Sequence, residues 1–313
     1  VNQYDIECMA STGCIRLEMS IFKGSMVAIA TPMNLDGSLD FDSLHQLIEF
    51  HVDNKTDVII SVGTTGESAT LDFKEHSSVI KTTIELVKGR IPVIAGTGAN
   101  STSEAIELTE SAKKNGADGC LLVTPYYNKP TQEGLFQHYK KIADTVAIPQ
   151  ILYNVPGRTS VDMLPETVQR LSTHNNIIGI KEASGNKDRS MDLMKLCSEN
   201  IQIFTGDDKT SMSDIIDGFS GNISVTANVA PLQMHMMCKY AIEGDKEKAE
   251  EINSKIEILH DILFCESNPI PVKWCLNRMG LIKKGIRLPL TWMDDKYDES
   301  LNNALINTGI INE

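Results

Sequence analysis

The chain alternates between short apolar runs and longer amphipathic segments, and the alternation recurs about eight times. Most of the short runs are near-continuous in apolar residues, as expected of strands that are buried on both faces of a sheet. They predict strands at residues 26–30, 58–62, 92–96, 119–123, 150–154, 177–181, 202–206 and 222–225. The intervening segments predict helices at residues 41–55, 73–87, 102–115, 132–145, 165–173, 187–197, 210–219 and 231–243. Asp40 and Ser101 precede two of these helices and are predicted N-caps.

Eight such units favour a closed (β/α)8 barrel, a TIM barrel of the α/β class, over an open doubly wound sheet. No Gly-x-Gly-x-x-Gly sequence follows the first predicted strand and no Gly-Lys-Thr loop occurs, which further weakens the open-sheet alternative. Near Asp245 the pattern changes to helical segments alone, at residues 246–264, 271–279 and 299–307. We therefore predict a barrel at residues 22–244 and a small C-terminal helical domain at residues 245–313.

Residues 1–21 do not fit the alternating pattern. They carry acidic side chains at Asp5, Glu7 and Glu18, and they lack the apolar core of about 7 to 15 residues that signal peptides need. The acidic side chains also disfavour a transit peptide. We expect a leader that is disordered or foreign to the functional chain, which would then begin near Met19.

Charge and composition narrow the classes of partner. The net charge of −13 disfavours nucleic acids and anionic membranes, because both are bound through clustered Lys and Arg. No apolar stretch approaches the length of a transmembrane helix. The seven cysteines form no Cys-x-x-Cys pair, which indicates reduced thiols and a cytoplasmic protein. The seven histidines include no His-x-His or His-Glu-x-x-His sequence, so we expect neither a metal site nor a cofactor.

A lysine ends the sixth predicted strand. Lys181 follows an apolar run and precedes a loop, and the active site of a TIM barrel lies at this end of the strands. A lysine in water has a pKa of about 10.4, whereas an apolar site can make it a neutral amine that forms a Schiff base with a carbonyl. The alternative is that Lys181 caps the strand and extends its ammonium into water, which is the commoner role of a lysine considered alone.

Three other predicted strands also end in candidate site residues. The second ends in Val62-Gly-Thr-Thr-Gly-Glu-Ser68, whose glycines allow close approach and whose hydroxyls and amides suit an α-keto carboxylate, although such sequences also form simple turns. The fifth places Tyr153 at the barrel mouth and Arg158 on its loop, where a lone tyrosine is usually a packed aromatic. The fourth leads into Tyr126 and Tyr127, a kind of pair found more often in packing or interfaces than in catalysis.

Six motifs in order resemble the dihydrodipicolinate synthase branch of the pyruvate-dependent class I aldolases and lyases, over residues 22–311. The motifs are Val62-Gly-Thr-Thr-Gly-Glu-Ser68, Ile94-Ala-Gly-Thr-Gly-Ala-Asn100, Val123-Thr-Pro-Tyr-Tyr-Asn128, Tyr153-Asn-Val-Pro-Gly-Arg-Thr159, Gly179-Ile-Lys-Glu-Ala-Ser184 and Asn268-Pro-Ile-Pro-Val-Lys273. Each motif is weak alone, whereas their common order along the chain is specific. The resemblance therefore favours the Schiff-base role of Lys181 over the structural one.

The resemblance implies a reaction and its catalytic residues. Lys181 attacks the ketone of pyruvate to form an imine, and the enamine tautomer adds to the aldehyde of L-aspartate 4-semialdehyde. This step belongs to lysine and diaminopimelate biosynthesis. Tyr153, Thr64 and Tyr127 correspond to a proton relay in which Tyr127 comes from a neighbouring subunit.

The resemblance also implies the substrate-binding residues. Thr65, with Thr64, corresponds to the cradle for the pyruvate carboxylate, and Gly206 and Ile223 correspond to backbone positions of the pocket. Arg158 corresponds to the residue that binds the carboxylate of the semialdehyde, a role that suits a planar, bidentate guanidinium.

Two alternatives to this reaction stay open. N-acetylneuraminate lyase or a 2-keto-3-deoxy sugar-acid aldolase would use the same Schiff base, but it must hold a long polyhydroxylated chain, for which Arg158 and the paired threonines are less suited. A barrel that only binds a small molecule or scaffolds an assembly would have no use for an amine and a phenol at converging strand ends.

Regulation and assembly are implied in the same way. Members of the family are usually homotetramers, and lysine-sensitive members bind L-lysine as a feedback inhibitor. The corresponding positions are Ser68, Ala69, His76, Asn100, Glu104 and Tyr126. Glu104 can bind the effector's ammonium or can be a solvated acid in the first turn of its helix. Phe73 stands where some sensitive members carry a histidine, so we expect inhibition to survive without one polar contact.

Overall fold

The computed structural model describes residues 22–312, in which eight parallel strands close into a barrel in sequence order. The strands are β1 (Gly24–Ala28), β2 (Val58–Ser61), β3 (Val93–Gly96), β4 (Gly119–Val123), β5 (Gln150–Asn154), β6 (Ile177–Glu182), β7 (Gln202–Thr205) and β8 (Gly221–Ser224). The predicted (β/α)8 barrel is confirmed. The leader predicted at residues 1–21 lies outside the described residues.

The barrel closes where β1 pairs with β8. A Cβ atom on Gly221 would lie 2.3 Å from the carbonyl oxygen of Gly24, so this closure needs glycine at position 221. β1 begins and ends two residues earlier than predicted. The pairing extends back to Gly24, and beyond the strand the Ala30 amide donates to Asn228 Oδ1 at 3.0 Å instead of continuing the ladder.

Helices follow the strands, as the amphipathic segments predict. Within residues 22–312 they are α1 (Phe41–Asp53), α2 (Phe73–Val87), α3 (Thr102–Asn115), α4 (Gln132–Thr145), α5 (Pro156–Thr159), α6 (Pro165–Leu171), α7 (Lys187–Cys197), α8 (Ser211–Ile216), α9 (Pro231–Glu243), α10 (Lys246–Ile262), α11 (Ile270–Arg278) and α12 (Asp298–Asn307). The same described residues include short 3-10 helices at Ser68–Thr70, Thr226–Asn228 and Asp295–Tyr297. None of the helices in the described part of the chain could span a membrane.

The two predicted N-caps differ in outcome. Asp40 caps α1, since its carboxylate accepts from the Ser43 amide at 3.1 Å. Ser101 occupies the predicted N-cap position of α3, but its hydroxyl lies 2.9 Å from Ser103 Oγ and makes no capping bond to an amide of the helix.

The core has two layers on opposite sides of the strands. Alternate strand residues, such as Met26, Ile60 and Phe204, fill the barrel interior, whereas their neighbours pack against the helices. Buried residues of α10, α11 and α12 belong to the same hydrophobic cluster as the barrel helices. The division into domains at residue 245 therefore stays a proposal.

Candidate active site

A cavity of about 340 Å³ opens among the loops that follow the C-terminal ends of the strands. Six of the predicted site residues line it: Thr64, Thr65, Tyr153, Arg158, Lys181 and Gly206. The sequence motifs thus bring together residues that are up to 142 positions apart, from Thr64 to Gly206.

Lys181 lies in this cavity near the end of β6 and is only 5% exposed. Burial lowers the pKa of its amine to about 7, an effect that the charge of Asp208 opposes and the charge of Arg158 reinforces. Within residues 22–312 the amine forms no ion pair or hydrogen bond, and its Nζ lies 4.4 Å from the ring centroid of Tyr153. Near neutral pH a large fraction of this lysine is therefore a free amine, which is the nucleophilic form.

Gly206 makes room for this lysine. A Cβ atom at position 206 would lie 2.4 Å from Lys181 Cε and 2.8 Å from Ala183 Cβ. Any larger residue would push the lysine side chain out of place. Gly206 was predicted only as a backbone position of the pocket, and the contact that requires glycine was not visible in the sequence.

Asp208 is a site residue that sequence reasoning missed. Its buried carboxylate accepts from Asn222 Nδ2 at 2.7 Å and from the amides of Val225 and Thr226 at 3.0 and 2.8 Å. These bonds tie the loop after β7 to the end of β8 and hold a negative charge that acts on Lys181. Its only sequence signal was an acidic residue just beyond the end of a strand.

Tyr153 lies beside Lys181, because the two residues are partners in the β5–β6 register. Burial raises the pKa of the Tyr153 phenol to about 12, although the charge of Arg158 and a hydrogen bond with Thr64 oppose the rise. The phenol is therefore protonated at neutral pH, with a hydroxyl partner already in place. It can donate a proton to a group that forms on Lys181.

The loop after β2 carries both site threonines in an unusual backbone conformation. Val62 and Glu67 have φ values of 57° and 56°, in the left-handed region that non-glycine residues avoid. Such residues cost on the order of 1–3 kcal/mol each and persist where the surroundings hold them. Here the holding contact is an ion pair between the buried Glu67 and Lys273. The glycines of this motif do not supply the left-handed positions.

A second contact from the C-terminal helices reaches the same loop. Asn268, which precedes α11 and lines the cavity, donates from Nδ2 to Thr65 Oγ1 at 2.9 Å. Its backbone carbonyl accepts from Arg158 Nη2 at 3.4 Å. Arg158 itself is exposed at the rim, on the one-turn helix α5. Asn268 begins the motif Asn268-Pro-Ile-Pro-Val-Lys273, which does not by itself indicate these contacts.

Two of the predicted catalytic and substrate-binding residues do not line the cavity. Ile223 is fully buried in the barrel interior, where it packs in the cluster that includes Met26 and Phe204. Tyr127 is 89% exposed on the loop after β4. The predicted role of Tyr127 requires a second subunit, and Ile223 does not reach the cavity. Both assignments therefore stay predictions.

The predicted lysine-binding residues lie outside the lining of the main cavity. Asn100 Oδ1 accepts from the Tyr126 amide at 2.7 Å, so these two positions meet, whereas Glu104 is exposed in the first turn of α3. His76 is buried, and burial lowers its pKa to about 4 against the effect of its hydrogen bond with the Gly96 carbonyl. Ala69 and Phe73 are exposed nearby along the chain.

Ser68 connects this region to the catalytic groups. It lines a cavity of about 30 Å³ that Thr64 and Tyr153 also line. One predicted effector residue thus lines the same small cavity as Tyr153.

A buried amine of lowered pKa beside a protonated phenol, in the mouth of a (β/α)8 barrel, is the arrangement of a class I aldolase, in which a lysine forms a Schiff base. Comparison with known proteins identifies the family. Residues 21–308 match the model of the dihydrodipicolinate synthetase family, and the chain belongs to that family. The family predicted from the motifs is confirmed.

Individual relatives agree with this assignment. The 4-hydroxy-tetrahydrodipicolinate synthase of Thioalkalivibrio sulfidiphilus is 59% identical over 93% of this chain and 99% of its own. The chloride-inhibited dihydrodipicolinate synthase from Acinetobacter baumannii, complexed with pyruvate, has a TM-score of 0.91 and 56% identity, over 92% of this chain and 99% of its own. The enzyme from Cyanidioschyzon merolae with lysine bound has a TM-score of 0.90 and 36% identity, over 93% and 99%.

Proposed function

We propose that this chain catalyses the 4-hydroxy-tetrahydrodipicolinate synthase reaction, the condensation of pyruvate with L-aspartate 4-semialdehyde through a Schiff base on Lys181. The observation that carries the proposal is the amine of Lys181, which is buried in the cavity without a counter-ion at ion-pair distance in residues 22–312 and has a pKa of about 7. The relative from T. sulfidiphilus bears the name of this activity, and the relative from A. baumannii is complexed with pyruvate.

The first half-reaction uses Lys181 and Tyr153. The neutral amine attacks C2 of pyruvate, and the resulting carbinolamine loses its hydroxyl as water to give an imine. Tyr153, protonated at neutral pH and hydrogen-bonded with Thr64, can supply the proton for that departure, which leaves a protonated imine beside the tyrosinate. The tyrosinate then takes a proton from C3 to give the enamine. Thr65 and the neighbouring amides can hold the pyruvate carboxylate during these steps.

The second half-reaction uses Arg158 at the rim. Its guanidinium can bind the carboxylate of the semialdehyde, so that the aldehyde carbon faces C3 of the enamine. Carbon–carbon bond formation regenerates an imine on Lys181. The amino group of the second substrate then attacks that imine carbon, closes the ring and releases the lysine as a free amine.

The assay combines the pure protein with [3-¹³C]pyruvate and L-aspartate 4-semialdehyde and follows the products by NMR. We expect a labelled cyclic product that requires both substrates. The sugar-acid lyase alternative is tested in parallel with N-acetylneuraminate and 2-keto-3-deoxy sugar acids. Efficient cleavage of one of these, without condensation, would reject the proposed substrate pair while keeping the Schiff base.

The proposed active form is a homo-oligomer, with a tetramer as the expected assembly, in which Tyr127 completes the relay of a neighbouring subunit. The 89% exposure of its ring, outside the cavity of its own chain, supports a role that needs a second copy. Mixing Tyr127→Phe with Lys181→Arg subunits should restore activity that neither has alone. Full activity of Tyr127→Phe by itself would make this residue an interface aromatic only.

The proposed regulation is inhibition by L-lysine at Ser68, Ala69, His76, Asn100, Glu104 and Tyr126. The relative from C. merolae with lysine bound supports an effector of this kind, and the small cavity lined by Ser68, Thr64 and Tyr153 offers a route to the catalytic groups. Lysine should reduce the initial rate, and Glu104→Thr should abolish the effect while sparing catalysis. A flat titration up to tens of millimolar, on the order of the weakest useful affinities, would reject it.

A further inference from the structure

We propose that Asn268 is a positioning residue that sets the polarity of the pyruvate subsite and the orientation of the guanidinium in the second subsite. The inference rests on the proposed function, because it concerns the two carboxylate subsites of that reaction. No other cavity-lining residue in the described part of the chain hydrogen-bonds to both Thr65 and Arg158.

Asn268 is held firmly in the wall of the cavity. It is 5% exposed and lies two residues before the start of α11. Its Nδ2 donates to Thr65 Oγ1 at 2.9 Å, and Thr65 is itself 1% exposed. The contact joins positions that are 203 residues apart in sequence, so it forms only in the folded barrel.

The direction of this hydrogen bond determines what Thr65 can bind. A threonine hydroxyl has one proton to donate and two lone pairs, whereas a carboxylate can only accept. The Asn268 amide occupies one lone pair of Thr65 Oγ1 and leaves the hydroxyl proton free. Thr65 is therefore prepared to donate to an anionic ligand such as the carboxylate of pyruvate.

The unpaired amide oxygen indicates a functional reason for an asparagine here. Asn268 Oδ1 is buried and has no hydrogen-bond partner in residues 22–312. An unsatisfied buried acceptor is costly, and such groups in native proteins usually have an explanation. An apolar side chain of the same size would avoid this cost, but it would lose the donor to Thr65.

The backbone carbonyl of Asn268 extends this role to Arg158. It accepts from Nη2 at 3.4 Å, a weak contact that restrains one edge of the guanidinium and leaves its other N–H groups free. A guanidinium restrained in this way can bind a carboxylate in bidentate geometry with less loss of freedom. Asn268 thus contacts Thr65 in the pyruvate subsite and Arg158 in the second subsite.

The test compares Asn268→Leu and Asn268→Asp, which keep the size of the side chain. The leucine removes the donor, whereas the aspartate reverses the bond, so that Thr65 donates to it and faces a negative charge. We expect the pyruvate KM to rise about 10-fold for leucine and about 100-fold for aspartate, in line with loss of a hydrogen bond to a charged group. kcat should change less than KM.

The matched control is Asn176→Leu. Asn176 Nδ2 also donates at 2.9 Å, to the Ala143 carbonyl, but it lies at the opposite end of β6. The pyruvate KM of Asn176→Leu should equal that of the unmodified protein. A Leu variant of Asn268 that is as damaging as the Asp variant, or an unchanged pyruvate KM in both, would overturn the inference.

A double-mutant cycle with Thr65→Val shows whether Asn268 acts through Thr65. In that background Asn268→Leu should raise the pyruvate KM by less than twofold, because the hydroxyl that it orients is gone. Full multiplication of the two effects would overturn the inference.

Borohydride trapping with pyruvate alone distinguishes a failure of the proposed function from a failure of the role proposed for Asn268. If the unmodified protein is not trapped, the proposed function fails. If it is trapped and Asn268→Asp needs no more pyruvate for half-maximal trapping, only the role of Asn268 fails.

Discussion

Two lysines are buried in the described part of the chain, and their surroundings give them different roles. Lys181 faces a cavity and has no carboxylate at ion-pair distance, whereas Lys273 is fully buried and paired with Glu67. Burial lowers the pKa of both amines, but Glu67 opposes this for Lys273 by charge and by hydrogen bonding. Burial alone therefore does not make a lysine nucleophilic. An amine also needs a position without a counter-ion and with space for a carbonyl.

The paired lysine supports the unpaired one. Lys273 holds Glu67, which has a left-handed backbone in the loop that carries Thr64 and Thr65. Arg287 strengthens this attachment, since its backbone amide donates to Glu67 Oε2 at 3.3 Å. The C-terminal segment thus holds a loop whose threonines line the same cavity as Lys181.

The largest expected effect is on activity in Lys181→Gln. The amide cannot form an imine, so condensation should fall by at least about 10³-fold. The melting temperature should stay unchanged or rise, because a buried ionisable amine is removed. Lys113→Gln, on the exposed face of α3, is the control and should keep full activity. Retained condensation activity in Lys181→Gln would contradict the assignment of Lys181 as the nucleophile.

Lys273→Met should show the opposite pattern, with a loss of stability as the primary effect. Removing one partner of a buried ion pair leaves an uncompensated charge on Glu67, which costs about 3–5 kcal/mol in free energy of unfolding. Denaturant titration measures the loss. Adding Glu67→Gln should recover part of it, since no buried charge then remains unpaired. A Lys273→Met variant as stable as the parent would contradict the structural role of this pair.

The pH dependence of imine formation tests the lowered pKa of Lys181. With a Lys181 pKa of about 7, the neutral fraction and hence the rate of imine formation should rise about tenfold from pH 6 to pH 8 and then level off. The rate should rise with pH because protonation of the amine at lower pH removes the nucleophile. Single-turnover trapping at fixed pyruvate measures this rate. A rate that keeps rising to about pH 10 would indicate a lysine of ordinary pKa.

The smallest expected effect is a shift of that profile in Arg158→Ala. The charge of Arg158 lowers the pKa of Lys181, so its removal should move the midpoint to higher pH. The shift should be small, because Arg158 is exposed and is the smallest of the three influences on this pKa. A midpoint that moves to lower pH would contradict this electrostatic picture.

The sequence predicted what depends on local pattern and missed what depends on distant contacts. The apolar runs placed all eight strands, and the six ordered motifs pointed to residues that line one cavity around Lys181. Thr65 and Asn268 are 203 residues apart, and Glu67 and Lys273 are 206 apart, so no local pattern could pair them. The clearance that Gly206 gives Lys181 likewise arises only when β6 and β7 are adjacent.

The most direct test of these two roles is borohydride reduction of the native protein in the presence of pyruvate, followed by peptide mass mapping. The free amine of Lys181 should carry a reduced three-carbon adduct, and activity should be lost in proportion to labelling. Lys273 should remain unlabelled, because its amine is fully buried and paired with Glu67. An adduct on Lys273 or on another lysine, or no adduct at all, would contradict the assignment of Lys181 as the nucleophile.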